Sequence, residues 1–232
     1  MLQRLLRRLG RGTLDLVLPL QCVGCRKEGS GLCQVCQSSL ARLEPPYCEI
    51  CAQPNDGPRC SRCVESPPPI DGIKAPYLME GVIRDAIHAF KYRNFRGLAP
   101  ELGKVLAECL ESTSIPATLL VPVPMHGRRV RQRGYNQSLL LAREVSKLTG
   151  IAVAEDMLIK TRDSAPQVSL ATQEERARNA EGSFLAVRES AGEAVLLIDD
   201  VVTTGSTMAA CAKAAKEKGA ASVWGLALAR EA

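Results

Sequence analysis

A chain of 232 residues with 46% apolar side chains can bury an ordinary core plus a small appendage, which excludes global disorder. Aromatic residues make up only 3%, so Leu, Val, Ile and Ala must build that core, as in helix-covered parallel sheets rather than sandwiches or barrels. The formal charge of +5 is modest, but the arginines cluster in a few segments and point to an anionic partner without naming it.

The first stretch, MLQRLLRRLGRG, is basic and sets Leu2, Leu5, Leu6 and Leu9 at helical spacing. Residues 1–18 are therefore expected to form an amphipathic helix that packs on the protein's own surface, with a membrane-surface anchor as the alternative. No long apolar run or small-residue cleavage site follows, so the stretch does not read as a secretory signal. No transmembrane segment is expected, because no apolar run has the length that a bilayer requires, and a cytoplasmic location follows as an expectation.

Residues 19–66 hold four C-x-x-C pairs: Cys22 and Cys25, Cys33 and Cys36, Cys48 and Cys51, Cys60 and Cys63. Without an export signal, structural disulfides would be kept reduced, whereas thiolates at this spacing can share a tetrahedral zinc. Two structural four-cysteine zinc sites are expected. Sequential pairing, with the first four cysteines on one ion and the last four on another, needs the shortest loops; an interleaved arrangement stays open. Four thiolates close the coordination sphere, so neither zinc is expected to be catalytic. The Gly- and Pro-rich module is short of apolar surface, and each ion would contribute on the order of 10 kcal/mol of folding free energy. Cys109 and Cys211 fall on apolar-periodic stretches and read as inert core residues.

The segment ESPPPI, residues 65–70, is a stiff connector where the composition turns from Cys-rich to aliphatic, and a second domain is expected over 67–232. Helical periodicity covers 82–92, 96–111 and 135–148, and short β-branched or aliphatic runs at 119–123, 157–160 and 184–187 predict strands. Thr172 and Glu175 form a capping box that opens a helix carrying Arg176 and Asn179. A strand at 194–198, a helix at 206–218 and a strand at 222–228 follow. This alternation predicts an α/β fold, a parallel sheet flanked by helices, preceded by the small zinc module.

The run VLLIDDVVTTGST, residues 195–207, carries the most chemistry. A buried strand leads into Asp199 and Asp200, then into Val202, Thr203, Thr204, Gly205, Ser206 and Thr207, then into a helix. Free backbone N–H groups, small hydroxyls and the positive end of the helix dipole make a cradle for a phosphate monoester. The two carboxylates, at the carboxyl end of a strand where open parallel sheets bind ligands, can accept hydrogen bonds from sugar hydroxyls. Phosphate beside a diol describes a ribose phosphate. The Walker loop is excluded by the missing Gly-Lys-Ser/Thr, and no dinucleotide fingerprint is present.

This run resembles the 5-phosphoribosyl-1-pyrophosphate (PRPP) signature of type I phosphoribosyltransferases. That resemblance implies that Asp199 and Asp200 bind the ribose hydroxyls and that 203–207 bind the 5-phosphate. Four blocks together resemble the ComF/GntX family: the zinc module, FKY at 90–92, RQRGYNQS at 131–138, and APQ through ERARNAEGSF between 165 and 184. The family resemblance implies a link to DNA uptake in competence or to gluconate use.

The 1-pyrophosphate needs a second anion site, for which VPVPMHGRRVRQRG offers Arg128, Arg129, Arg131 and Arg133 in a loop after the 119–123 strand. Lys91 is a further candidate for the same anion. Arg162, Gln167, Arg176 and Asn179 surround an irregular stretch suited to closing over a reactive intermediate and positioning an acceptor. Mg²⁺ would screen the leaving pyrophosphate. His126 and His88 read as ordinary loop and helix residues. Two functions remain open: a phosphoribosyltransferase with an unknown acceptor, or a non-catalytic PRPP-responsive module that binds single-stranded DNA through its zinc ribbons and arginines, with DNA-uptake proteins as further partners. For the second, Tyr135 and Tyr47 are the nearest stacking rings.

Overall fold

The computed structural model describes residues 20–161 and 182–231. The expected N-terminal helix and the segment with Arg162, Gln167, Arg176 and Asn179 lie outside the described residues.

Two short helices follow the cysteine pairs, α1 (Gln34–Ser38) and α2 (Ser61–Glu65). The aliphatic part then contains β1 (Gly72–Lys74), β2 (Tyr77–Leu78), α3 (Gly81–Tyr92), α4 (Ala99–Glu111), β3 (Leu119–Pro122), α5 (Gly127–Arg133) and α6 (Gln137–Thr149). The chain ends through β4 (Ala152–Val153), β5 (Leu158–Lys160), β6 (Phe184–Ala186), β7 (Ala194–Val202), α7 (Ser206–Glu217) and β8 (Ser222–Arg230).

The sheet runs β1-β8-β7-β3-β4, with β2 also on β8, and every pairing in it is parallel. Its central strands, β7 and β8, are buried on both faces, which is why they read as near-continuous aliphatic runs. Leu120, Leu196, Ile198, Leu226 and Leu228 face α3, α4 and α6, where they meet Ile83, Phe90, Leu102 and Leu141. Val121, Val195, Leu197 and Val223 face α7 and the antiparallel β5–β6 hairpin, meeting Met208, Cys211 and Phe184. Helices α4 and α6 pack tightly: a Cβ placed on Gly103 would lie 2.3 Å from the Cβ of Glu144. Cys211 is fully buried, and burial lifts the half-buried Cys109 thiol to about 11, so neither behaves as a reactive thiolate.

The cysteine module is not a separate ball on a tether. Leu32, Leu40, Cys22 and Cys36 belong to the same apolar cluster as Ile83, Phe90 and Leu102, while Leu43 and Ala52 join the cluster on the opposite face of the sheet. The short module therefore gains the apolar contacts that its own composition lacks by sharing the larger core.

Two elements differ from the sequence-based expectation. The 194–198 strand continues to Val202, so Asp199 and Asp200 lie within β7 rather than just beyond it. The reason is tertiary: β8 runs to Arg230 and pairs Asp199 with Ala227, Val201 with Ala229 and Val202 with Arg230. The arginine-rich 127–133 stretch is a helix, α5, not a loop. The His126 side chain caps it by accepting from the Arg128 N–H, and Gly134 ends it at φ 82°.

Candidate functional site

The site forms where β7 leaves the sheet. Asp200 is buried, and its Oδ1 lies 2.7 Å from Nζ of Lys91, near the end of α3. Asp199 is half-buried and accepts from the Ser138 hydroxyl at 2.9 Å and from the Asp200 N–H at 2.9 Å. Burial, and next the neighbouring Asp200 charge, raise the Asp199 pKa to about 7; Lys91, the Asp200 amide and Ser138 pull the other way. For Lys91, burial disfavours the cation, but the Asp200 carboxylate outweighs it and holds the ammonium pKa above its usual value. One cation, two carboxylates and a hydroxyl from three different elements thus converge on one point.

The 203–207 loop, expected from sequence to hold a phosphate, follows directly. Thr203 and Thr204 lead into Gly205, whose φ of 78° is left-handed, and α7 begins at Ser206. Gly205 is required twice over, since a Cβ there would also press to 3.3 Å from Ile73 Cδ1. The Thr204 and Ser206 hydroxyls are 2.8 Å apart, and the Ser206 N–H donates to Thr204 Oγ1 at 3.3 Å. Thr203, Ser206 and Thr207 are half-buried, so the open first turn of a twelve-residue helix, lined by hydroxyls, stands beside the acidic pair. Val202 is buried, and its carbonyl accepts from Arg230 and from the Glu231 N–H.

The GYNQS stretch explains itself residue by residue. Gly134 ends α5; the Tyr135 hydroxyl donates to the Phe90 carbonyl; Asn136 caps α6 through the Ser138 N–H and donates to the Val123 carbonyl at 3.1 Å. Gln137 accepts from Arg133 at 2.8 Å, and Ser138 orients Asp199. Asn136, Gln137 and Ser138 were legible from sequence only as part of the RQRGYNQS block, with no site role for any of them. A lone serine at a helix start carries no functional signal, and only the fold shows that it faces β7.

Among the arginines, Arg128 and Arg131 are exposed and Arg129 is half-buried on α5. Arg133 turns toward Gln137 and lies 5.2 Å above the Tyr92 ring. Tyr135 is buried, against its expected role as a stacking ring, because its hydroxyl reaches the backbone of α3. Tyr92 is instead the exposed ring, at 68%, with His88 edge-on to it.

The cysteines assemble in sequential order: Cys22, Cys25, Cys33 and Cys36 form one group, and Cys48, Cys51, Cys60 and Cys63 the other, the sulfurs of each lying within 4.8 Å of one another. The Cys25–Cys33 and Cys51–Cys60 sulfur separations are 3.6 and 3.7 Å. Tetrahedral zinc with bonds of about 2.3 Å requires roughly 3.8 Å between thiolates, so both groups fit the ion. Burial raises these thiols, but at Cys22 and Cys48 backbone N–H groups reverse this and bring both to about 6. Cys36, buried among three other sulfurs, is pushed up to about 12. A dication in the group removes that conflict and allows all four thiolates at once. These are two structural zinc sites, each made of four cysteines.

Comparison with known proteins agrees with this geometry. Residues 13–69 match the double zinc ribbon domain, and residues 135–230 match the phosphoribosyl transferase domain. The chain is 31% identical over 219 residues to the DNA utilization protein YhgH of Escherichia coli K12, covering 90% of this chain and 96% of that one. It is 27% identical over 223 residues to competence protein F of Haemophilus influenzae, covering 89% and 96%. Among solved structures, the glutamine PRPP amidotransferase of B. subtilis superposes with a TM-score of 0.38 at 23% identity, over 56% of this chain and 26% of that one. With both domains matched and relatives aligned over nearly their full length, the chain belongs to the ComF/GntX family of double-zinc-ribbon phosphoribosyltransferase-like proteins.

Proposed function

We propose that this protein binds PRPP at the end of β7 and transfers its phosphoribosyl group to an acceptor. The observation that carries the reading is the convergence of Lys91, Asp200, Asp199 and Ser138 beside the hydroxyl-lined start of α7. The loop Thr203–Thr207 takes the 5-phosphate, and Asp199 and Asp200 take the ribose diol. Lys91, whose ammonium is close to both carboxylates, with Arg128, Arg129, Arg131 and Arg133 of α5, faces the pyrophosphate. The C1–oxygen bond breaks with its electron pair leaving on pyrophosphate, and the acceptor supplies a new pair to C1 and loses its proton. Gln167, Arg176 and Asn179 are assigned to the acceptor.

Mg²⁺ would arrive on the pyrophosphate of PRPP and screen its charge as it leaves. The donor set favours this over a resident ion: Asp200 Oδ1 is engaged by Lys91, and among the described residues only the two cysteine groups bring three or more ligating side chains together. We assign residues 19–66 to the zinc module and 67–232 to the phosphoribosyltransferase unit. No helix among the described residues is long and apolar enough to cross a membrane, and a cytoplasmic site of action fits the use of PRPP.

A second reading, a PRPP-responsive single-stranded-DNA-binding module working with DNA-uptake proteins, is favoured by the exposed Tyr92 beneath Arg133, with Arg93, Arg96 and Arg131 exposed nearby. The relatives' names, DNA utilization and competence, point the same way. Incubation with PRPP, Mg²⁺ and fractionated metabolites separates the two. Release of pyrophosphate in one fraction supports the transferase. Failure in every fraction, with PRPP bound and with salt-sensitive oligonucleotide binding that Tyr92→Ala abolishes, supports the module.

A further inference from the structure

Arg230 ends β8 at 1% exposure and is the bulkiest fully buried side chain among the described residues, yet among those residues no carboxylate forms an ion pair with it. Its Nη1 donates to the Val202 carbonyl at 3.1 Å, on the last residue before the phosphate loop. Its Nη2 donates to Gln53 Oε1, and its Nε has no partner among the described residues. Gln53 belongs to the second cysteine knuckle, since its carbonyl accepts from the Cys48 N–H at 2.7 Å. A guanidinium buried this deeply requires a counter-charge. Gln53 sets the second four-cysteine group beside it: burial and the neighbouring Arg62 pull the Arg230 pKa below its usual value, while the Cys51 and Cys60 sulfurs and, less, the Glu231 carboxylate favour the cation. A +2 ion on four −1 thiolates leaves a dianion, enough to balance both arginines. Cys51 and Arg62 also line one cleft of about 750 Å³ together with Thr204, Gly205 and Ser206.

We propose that the zinc-loaded second centre is the counter-charge that keeps Arg230 buried as a cation, and that Arg230 in turn fixes the end of β7 from which the phosphate loop departs. Metal at this centre and a phosphate on residues 203–207 then stabilise each other. The ligand half of this coupling rests on the PRPP reading above. The first centre has a different neighbour: a Cβ on Gly24 would meet both Cys36 Sγ and Val82 of α3, and that centre serves as an internal control. Arg230 is thus a positioning residue that acts through the backbone of Val202.

Binding coupling is reciprocal, so the ligand must protect the metal as much as the metal supports the ligand. The protein with two zinc ions is challenged with a chelator, with and without saturating ribose 5-phosphate, while zinc release and amide exchange at 202–207 are followed. The expected result is that ribose 5-phosphate slows release of one zinc about tenfold and leaves the other unchanged. Arg230→Met and the milder Gln53→Ala should abolish that protection and raise exchange at 202–207, while two zinc ions are still bound at the start. A merely structural role for Arg230 would speed loss of both ions and leave the ligand's protection of one intact. Should wild type bind neither ribose 5-phosphate nor PRPP, the functional reading fails, and exchange at 202–207 in Gln53→Ala and after loss of the more labile zinc decides the coupling alone. Unchanged exchange there, or equal release of both ions with and without a bound ligand, overturns it.

Discussion

At the scale of single residues, the acidic pair stores an electrostatic conflict that Lys91 only partly relieves. Folded Asp199 keeps its proton to about pH 7, whereas an unfolded aspartate releases its own near pH 3.9. Between those values the folded state holds the extra proton, so stability contributed by this group falls as pH rises from about 4 to 7. Asp199→Asn cannot ionise and should therefore be more stable than wild type at pH 8 but close to it at pH 4, read as urea midpoints. Equal midpoints at pH 8 would mean that Lys91 and Ser138 hold the ionised pair at no cost. The pair and Lys91 were legible in the sequence through IDDVVTTGST and FKY; their ion pair was not, because residues 91 and 200 meet only once α3 and β7 pack on the same core. Tyr92 and Tyr135 show the same limit: two tyrosines in basic surroundings look alike until the fold buries one.

At the scale of elements, the helices and central strands followed from periodicity and punctuation, and the parallel sheet from their alternation. Irregular edges did not. The short strands β1 and β4 have no pattern of their own and exist because β8 and β3 present free edges to them. The turn between β7 and α7 is the most demanding local geometry in the site. Gly205→Ala should cost about 1–2 kcal/mol, the usual penalty for a side chain in the left-handed region, with the Ile73 contact adding to it. Chemical denaturation measures this, and ribose 5-phosphate affinity should fall with it, because the N–H groups of 205–207 would shift. A neutral Gly205→Ala with intact phosphate affinity would show that the loop tolerates another conformation.

At the scale of the whole molecule, the two zinc sites stand at different parts of the fold: the first under α3, which carries Lys91, the second beside the phosphate loop. The C-x-x-C spacing made the metal and the sequential grouping legible, but not the shared core, which depends on Leu32, Leu40 and Leu43 reaching the larger domain. Elemental analysis should find about two zinc ions per chain, one for each group of four cysteines. Because the modules share apolar clusters with both faces of the sheet, chelation should lower the unfolding midpoint of the entire chain in one transition. An unchanged main transition after complete zinc loss would show that the modules fold apart from the sheet.

The most direct test of the central claim is calorimetric titration of PRPP with Mg²⁺ into wild type and into the Asp199→Asn, Asp200→Asn double variant, with circular dichroism confirming that both are folded. About one PRPP should bind per wild-type chain, with affinity at least tenfold weaker in the folded double variant if, as proposed, both carboxylates hold the diol. Equal affinity in the folded double variant, or no binding to wild type, would contradict the claim.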